Sequence, residues 1–120
     1  MRAFSIKSLC LSVMAFSMIF MMRPAHAQHG GYYMTGQELY TLCTSNFNTD
    51  YGFCGGFITG VAEVMIHQNV GPYRSCNHGT VRSEQLISIT KKFIEKNDDT
   101  MAQDGRTVVA RALNRAFPCR

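Results

Sequence analysis

The first 27 residues have the pattern of a secretory signal, and their removal decides what is left to fold. Arg2 and Lys7 give a positive end, an apolar run covers residues 9–22, and an A-x-A cleavage site ends at Ala27. The apolar run is too short and too interrupted for a membrane span. We therefore predict cleavage after Ala27; an uncleaved anchor and a lipoprotein attached through Cys10 are the alternatives.

The mature chain is then residues 28–120, which is 93 of the 120 residues, and it has almost no net charge. Three of the 12 basic residues leave with the signal, so nine remain against eight acidic ones and the formal charge falls from +4 to +1. This balance gives no support for nucleic acid or an anionic membrane as a partner, and we predict no stable membrane insertion after cleavage. A chain of this length makes one domain with a thin core.

Four cysteines remain in this short, exported chain, and they predict a disulfide framework. Two bridges are expected, and four cysteines allow three pairings. In an up-down bundle, a short loop brings the ends of the first two helices together. The last helix returns to the end where the third begins, so this path favours Cys43–Cys54 with Cys76–Cys119. The bridges and the signal together predict a periplasmic or secreted protein.

Apolar periodicity predicts an all-α domain of four helices without a convincing strand. A flexible leader over residues 28–35 precedes them, and Thr35 has the sequence context of a capping box. Turn residues are dense over 46–52, where we predict a loop. Residues 97–100 are predicted to form a turn, and the acidic pair Asp98-Asp99 suits the N-terminus of the helix that follows. The predicted helices cover residues 36–46, 53–69, 82–96 and 101–116.

Gly56 and Gly60 lie four positions apart in the second predicted helix. A glycine costs about 1 kcal/mol inside a helix, so two of them require a reason. Missing side chains let another helix approach closely, and close helix packing is the interpretation we favour. A groove that faces a ligand is the alternative.

The sequence contains no nucleophile elbow, no zinc-protease motif and no phosphate loop. A cysteine nucleophile with a histidine base requires a free thiolate, which paired cysteines do not provide. His67 and the segment from Cys76 to His78 do not match the ligand spacing of zinc sites. We predict no enzyme, no cofactor and no metal, and we expect alanine at His67 or His78 to leave the fold intact.

The segment from Val70 to Thr80 is the longest ordered loop that we predict, and it carries Tyr73, Arg74 and His78. Surface loops reach a partner's cleft more readily than a buried scaffold does. Cys76 pins this loop, so a binding tip here would be ordered before a partner arrives. These three residues are our candidate partner contacts; a mere connector is the alternative.

Cysteines, glycines and apolar positions follow a specific order from Gly36 to Cys119. The order is Gly36-x-x-Leu39-x-x-x-Cys43, Cys54-Gly55-Gly56-Phe57-Ile58-x-Gly60-Val61, Cys76, Gln85-Leu86 and Ala112-Leu113-x-x-Ala116-Phe117-Pro118-Cys119. This order resembles the Rap/Tai family of immunity proteins. The middle segment and the terminal Phe-Pro-Cys are its specific parts.

The resemblance implies a small, exported, helical immunity-like domain over residues 36–119. Characterised members protect bacteria from peptidoglycan-cleaving amidases that type VI secretion delivers, so the resemblance implies such an amidase as the protein partner. Steric blocking needs no catalytic residue, which agrees with the motif search. The chain departs from the family at His78, where a proline is usual, and at Asn97-Asp98, where a His-Pro turn is usual. The shared motifs belong to the scaffold, so no toxin-contact residue is transferred.

A small periplasmic stress or chaperone-like protein without a dedicated toxin partner is the alternative function. Such proteins are also helical and disulfide-bonded. An acid chaperone needs many carboxylates that change charge at low pH, and here eight acidic residues face nine basic ones in the mature chain. A homodimer is compatible with the sequence under either function.

Overall fold

The computed structural model describes residues 34–76 and 78–120. The predicted signal peptide, residues 1–27, and the leader up to residue 33 lie outside them. The described residues contain no strand beyond two isolated bridges, so the all-α prediction is confirmed. The four helices are α1 Gly36–Thr44, α2 Asn48–His67, α3 Ser83–Glu95 and α4 Gly105–Ala116, with a 3₁₀ turn at Asp98–Thr100 before α4.

Helix α1 begins at the predicted capping box. The Thr35 hydroxyl accepts a hydrogen bond from the Glu38 backbone N–H at 3.3 Å, and the Glu38 carboxylate accepts one from the Thr35 N–H at 2.7 Å. Met34 is buried, and its carbonyl accepts a hydrogen bond from the Gly105 N–H at 2.9 Å. Met34 and Thr35 therefore belong to the folded domain, and the predicted leader was two residues too long.

Helix α2 begins at Asn48, five residues earlier than predicted, and it replaces most of the loop expected over 46–52. The Ser45 hydroxyl donates to the Asp50 carboxylate at 2.7 Å and accepts from the Phe47 N–H at 3.1 Å. Polar residues that indicate a turn also suit the first turn of a helix, because they satisfy free N–H groups and favour its positive end. Composition alone therefore placed the helix start too late.

Helix α4 begins at Gly105 because Asp104 caps it. One Asp104 carboxylate oxygen accepts from the Arg106 N–H at 3.3 Å, and the other accepts from the Thr107 hydroxyl at 3.0 Å. The sequence had predicted a turn at Asp98-Asp99, which the structure confirms, and a helix that starts at residue 101. The predicted start was wrong, because the helix begins four residues later, at Gly105.

One core holds the domain together, and each helix packs against the other three. A hydrogen bond links α1 to α3 at the surface, where the Tyr40 hydroxyl donates to the Glu95 carboxylate at 3.1 Å. This hydrogen bond, together with desolvation and the negative charge of Glu95, raises the pKa of Tyr40. Fully buried side chains come from all four helices: Leu39, Ile58, Met65, Ile94, Val108 and Leu113.

Two disulfides close the domain, and each has a Cα–Cα distance of 5.1 Å. Cys43 at the end of α1 is bonded to Cys54 in α2, 11 residues along the chain. Cys76 in the loop after α2 is bonded to Cys119 beyond α4, 43 residues along the chain. The structure therefore has the pairing that the up-down path favours.

Gly56 and Gly60 do not lie at a helix crossing, so the packing role predicted for them was wrong. Both are exposed, and no heavy atom outside their local backbone lies within 4 Å of where a Cβ would stand. The spacing misled because α2 is apolar on more than one face, and periodicity did not reveal which face is buried. The close approach occurs instead at Gly36, where a Cβ would collide with the carbonyl oxygen of Thr100.

This difference predicts opposite effects of alanine at two helical glycines. Gly60→Ala should stabilise the domain by about 0.5–1 kcal/mol, because it restricts the unfolded chain and meets open space. Gly36→Ala should destabilise it by about 1–3 kcal/mol, because the collision forces the backbone to shift. Urea unfolding of the two variants beside wild type measures both. Loss of stability in Gly60→Ala would mean that this face is covered.

Candidate protein-binding surface

The loop between α2 and α3 starts with a tight turn. Val70 and Tyr73 exchange two backbone hydrogen bonds, 3.0 Å and 3.1 Å long. Gly71 has a φ of 57°, which favours glycine, and Pro72 follows it. The turn leaves Tyr73 half-buried against the core and Arg74 exposed.

The middle of the loop is fixed to α4 and its C-terminal tail. The Cys76 N–H donates to the Phe117 carbonyl at 3.0 Å, beside the disulfide that joins Cys76 to Cys119. The side-chain amide of Asn114 donates to the Arg74 carbonyl at 2.6 Å. The backbone on the C-terminal side of Arg74 is therefore held by α4 and its tail.

His78 fixes the loop from inside, and it is not a surface contact. Its side chain is only 3% exposed, and its Nε2 lies 2.8 Å from the Ala62 carbonyl of α2. A carbonyl oxygen only accepts, so Nε2 carries the hydrogen. In the neutral ring Nδ1 then accepts from the Ser75 hydroxyl, 2.9 Å away. The prediction of His78 as a partner contact was therefore wrong.

A cleft of about 530 Å³ lies between the C-terminal end of α2 and this loop. Its lining includes the apolar side chains of Met65 and Ile66. Arg74 gives the cleft a positive charge. The described residues that line the cleft include no carboxylate. The remaining lining residues are polar, small or disulfide-bonded: His67, Gln68, Asn69, Ser75, Cys76, His78 and Gly79.

An exposed row on α2 leads towards the cleft, and we call it the α2 outer row. It consists of Phe53, Gly56, Gly60 and Val64, whose spacings of three and four place them on one helix face. Phe53 is 59% exposed and Val64 is 47% exposed, with the two glycines leaving a shallow hollow between them. His67 continues the same face and lines the cleft.

The residues of the loop and of the α2 outer row thus differ from those of the site predicted from the sequence. Tyr73 and Arg74 lie in the loop, with Tyr73 half-buried and Arg74 exposed, whereas His78 is buried beneath it. The cleft residues of α2 were not predicted from the sequence, and the role predicted for the two glycines was wrong. The signal for the row was present, because α2 carries more apolar positions than one buried face requires.

The described residues hold neither a free cysteine nor a group of side chains suited to a metal. All four cysteines described are disulfide-bonded, so none of them provides a thiolate. Across residues 34–76 and 78–120, no three His, Cys, Asp or Glu side chains are grouped as a metal site requires. Within the same residues, no helix is both long and apolar enough to cross a bilayer.

The model of the Rap1a immunity protein family matches residues 35–119. The chain therefore belongs to the Rap1a immunity protein family, and the resemblance found in the sequence is confirmed. A comparison with curated proteins gives no match. Membership in this family implies a protein toxin as the partner.

The burial of His78 predicts that the two histidines respond differently to alanine. His78→Ala should destabilise the domain by about 2–4 kcal/mol, because it removes two buried hydrogen bonds and leaves a cavity. His67→Ala, on the exposed surface, should change stability by less than about 0.5 kcal/mol. Urea unfolding compares them. Equal stability of the two variants would contradict the buried contacts.

Proposed function

We propose that this protein is an exported immunity protein that binds a peptidoglycan amidase toxin and covers its active site. The observation that carries the proposal is the family match over residues 35–119, which spans the whole described helical domain. Inhibition by covering an active site requires surface complementarity and no reaction by the inhibitor. An ordered loop beside a cleft supplies such a surface.

The contact surface in this proposal is the tip formed by Tyr73 and Arg74, with the cleft beside it. The backbone hydrogen bond to Asn114 and the bridge at Cys76 hold this tip in place. A loop that is ordered before binding loses little conformational entropy when it docks. Tyrosine and arginine are also the residue types that most often dominate the energy of a protein interface.

The α2 outer row extends the proposed surface with an apolar area. Phe53 and Val64 stand at its ends, and the glycines between them let a partner's backbone or side chains approach α2 closely. Interfaces combine a central apolar area with a polar rim. The α2 outer row provides the apolar area, and Arg74 and Gln68 provide polar surface on a neighbouring part of the molecule.

Export is part of the proposal, because the peptidoglycan that an amidase cleaves lies outside the cytoplasmic membrane. Residues 1–27 provide the signal pattern in the sequence. Two disulfides support an oxidising compartment, since such bridges persist in the periplasm and are rare in the cytosol. The proposed mature protein is periplasmic, begins at Gln28 and is not inserted in the membrane.

Co-expression with an amidase encoded beside this gene tests the proposal. The amidase is directed to the periplasm of a host cell, and lysis is scored. The wild-type chain should prevent lysis, and a chain that lacks residues 2–27 should fail to do so, because it stays in the cytoplasm. Tyr73→Ala with Arg74→Ala should weaken toxin affinity by about tenfold to a hundredfold, measured by calorimetry.

Ser88→Ala with Lys91→Ala on α3 is the matched control, and it should protect like wild type. Unchanged affinity of the loop variant, with its fold intact, would remove the loop tip from the site. Lysis in the presence of well-expressed wild type would sink the inhibitor proposal for that toxin. The oligomeric state of the free protein is measured in parallel, because a homodimer formed through the α2 outer row would compete with the toxin.

A further inference from the structure

A groove of about 490 Å³ runs between α3 and α4 and shares no lining residue with the cleft. Ile89 and Phe93 of α3 line it from one side. Ala112 and Ala116 of α4 line it from the other, and their small side chains keep the groove open. The floor is therefore apolar.

Three cations surround this floor. Lys92 lies in the last turn of α3, Lys96 caps the C-terminal end of that helix, and Arg115 lies on α4. All three are exposed, and none forms an ion pair with a carboxylate among the described residues. No acidic side chain lines the groove in that part of the chain. Three positive charges thus meet an apolar floor in a chain whose mature form is almost neutral.

Arg111 has a different role at one wall of the groove. Its guanidinium donates to the Asp99 carboxylate at 3.1 Å and to the Gln103 side-chain oxygen at 2.7 Å. It also lies 5.5 Å from the centre of the Phe93 ring, within the range of a cation–π contact. The Phe93 wall is therefore held in place, and the charge of Arg111 is already balanced.

We propose that this groove is a second docking surface, and that it binds an acidic amphipathic segment of a protein partner. Carboxylates of the segment would pair with Lys92, Lys96 and Arg115, while its apolar side chains fill the floor. Charge complementarity carries this assignment, because a basic surface selects acidic partners and rejects basic ones.

The shape of the groove favours a protein segment over a membrane surface. A helix that binds a bilayer inserts protruding apolar side chains below the head groups. Here Ile89 and Phe93 are only partly exposed, and they line the same groove as the three cations. A concave apolar floor with a charged rim instead accommodates the side chains of one helix or strand. This second surface does not depend on the identity of the toxin.

A synthetic probe tests the groove directly. The probe is a fluorescein-labelled helical peptide that carries leucine and glutamate on one face, and its binding to the mature protein is followed by anisotropy at low salt. Lys96→Glu on one rim and Arg115→Glu on the other should each weaken binding by about fivefold. Lys91→Glu makes the same charge change on α3 outside the groove and should leave the affinity within about twofold.

The location of binding separates the outcomes. Chemical-shift changes in Ile89 and Phe93 on peptide addition, and no binding of a peptide with lysine in place of glutamate, would support the proposal. Equal weakening by Lys91→Glu would overturn it, because binding would then follow net charge alone. Absence of binding, or shifts confined to other residues, would also overturn the proposal. So would self-association through the groove, or binding through the groove to phosphatidylglycerol vesicles but not to the peptide.

Discussion

The arrangement of the proposed binding surface depends on the disulfide between Cys76 and Cys119. It spans 43 residues, and a bridge of that separation stabilises a folded chain by about 4 kcal/mol through the unfolded state, against about 3 kcal/mol for the 11-residue span of the other bridge. Both values are large for a domain of this size. The structural effect of the Cys76–Cys119 bridge is specific, because this bridge holds the loop after α2 against the tail of α4.

His78 completes this constraint from the opposite side. Its Nε2 donates to the Ala62 carbonyl of α2, and its Nδ1 accepts from the Ser75 hydroxyl. The loop is thus tied to α2 by a buried hydrogen bond, which is costly to break singly, while the Asn114 side-chain amide ties it to α4. The Arg74 side chain, outside these contacts, is free to meet a partner without reordering the loop.

The sequence predicted the parts of the fold whose signals are unambiguous. The capping box at Thr35 placed the start of α1 at the correct residue, although its end was predicted two residues too late. The single amphipathic stripe of α3 placed both ends of that helix within one residue of the structure. The sequence did not predict which face of α2 is buried. Apolar side chains lie on several faces of this helix, so their spacing does not decide whether Gly56 is buried or exposed. It also did not predict the burial of His78, since loop residues follow no periodicity and only tertiary contacts decide their exposure.

Amide hydrogen exchange tests the central claim that the Cys76–Cys119 bridge orders the loop. In Cys76→Ser with Cys119→Ser, the N–H groups of Val70, Tyr73 and Cys76 should lose protection, while amides in the middle of α3 keep theirs. Removal of the Cys43–Cys54 bridge by the same substitutions is the control, and it should leave the loop protected. Unchanged exchange in the loop without the Cys76–Cys119 bridge would contradict the account.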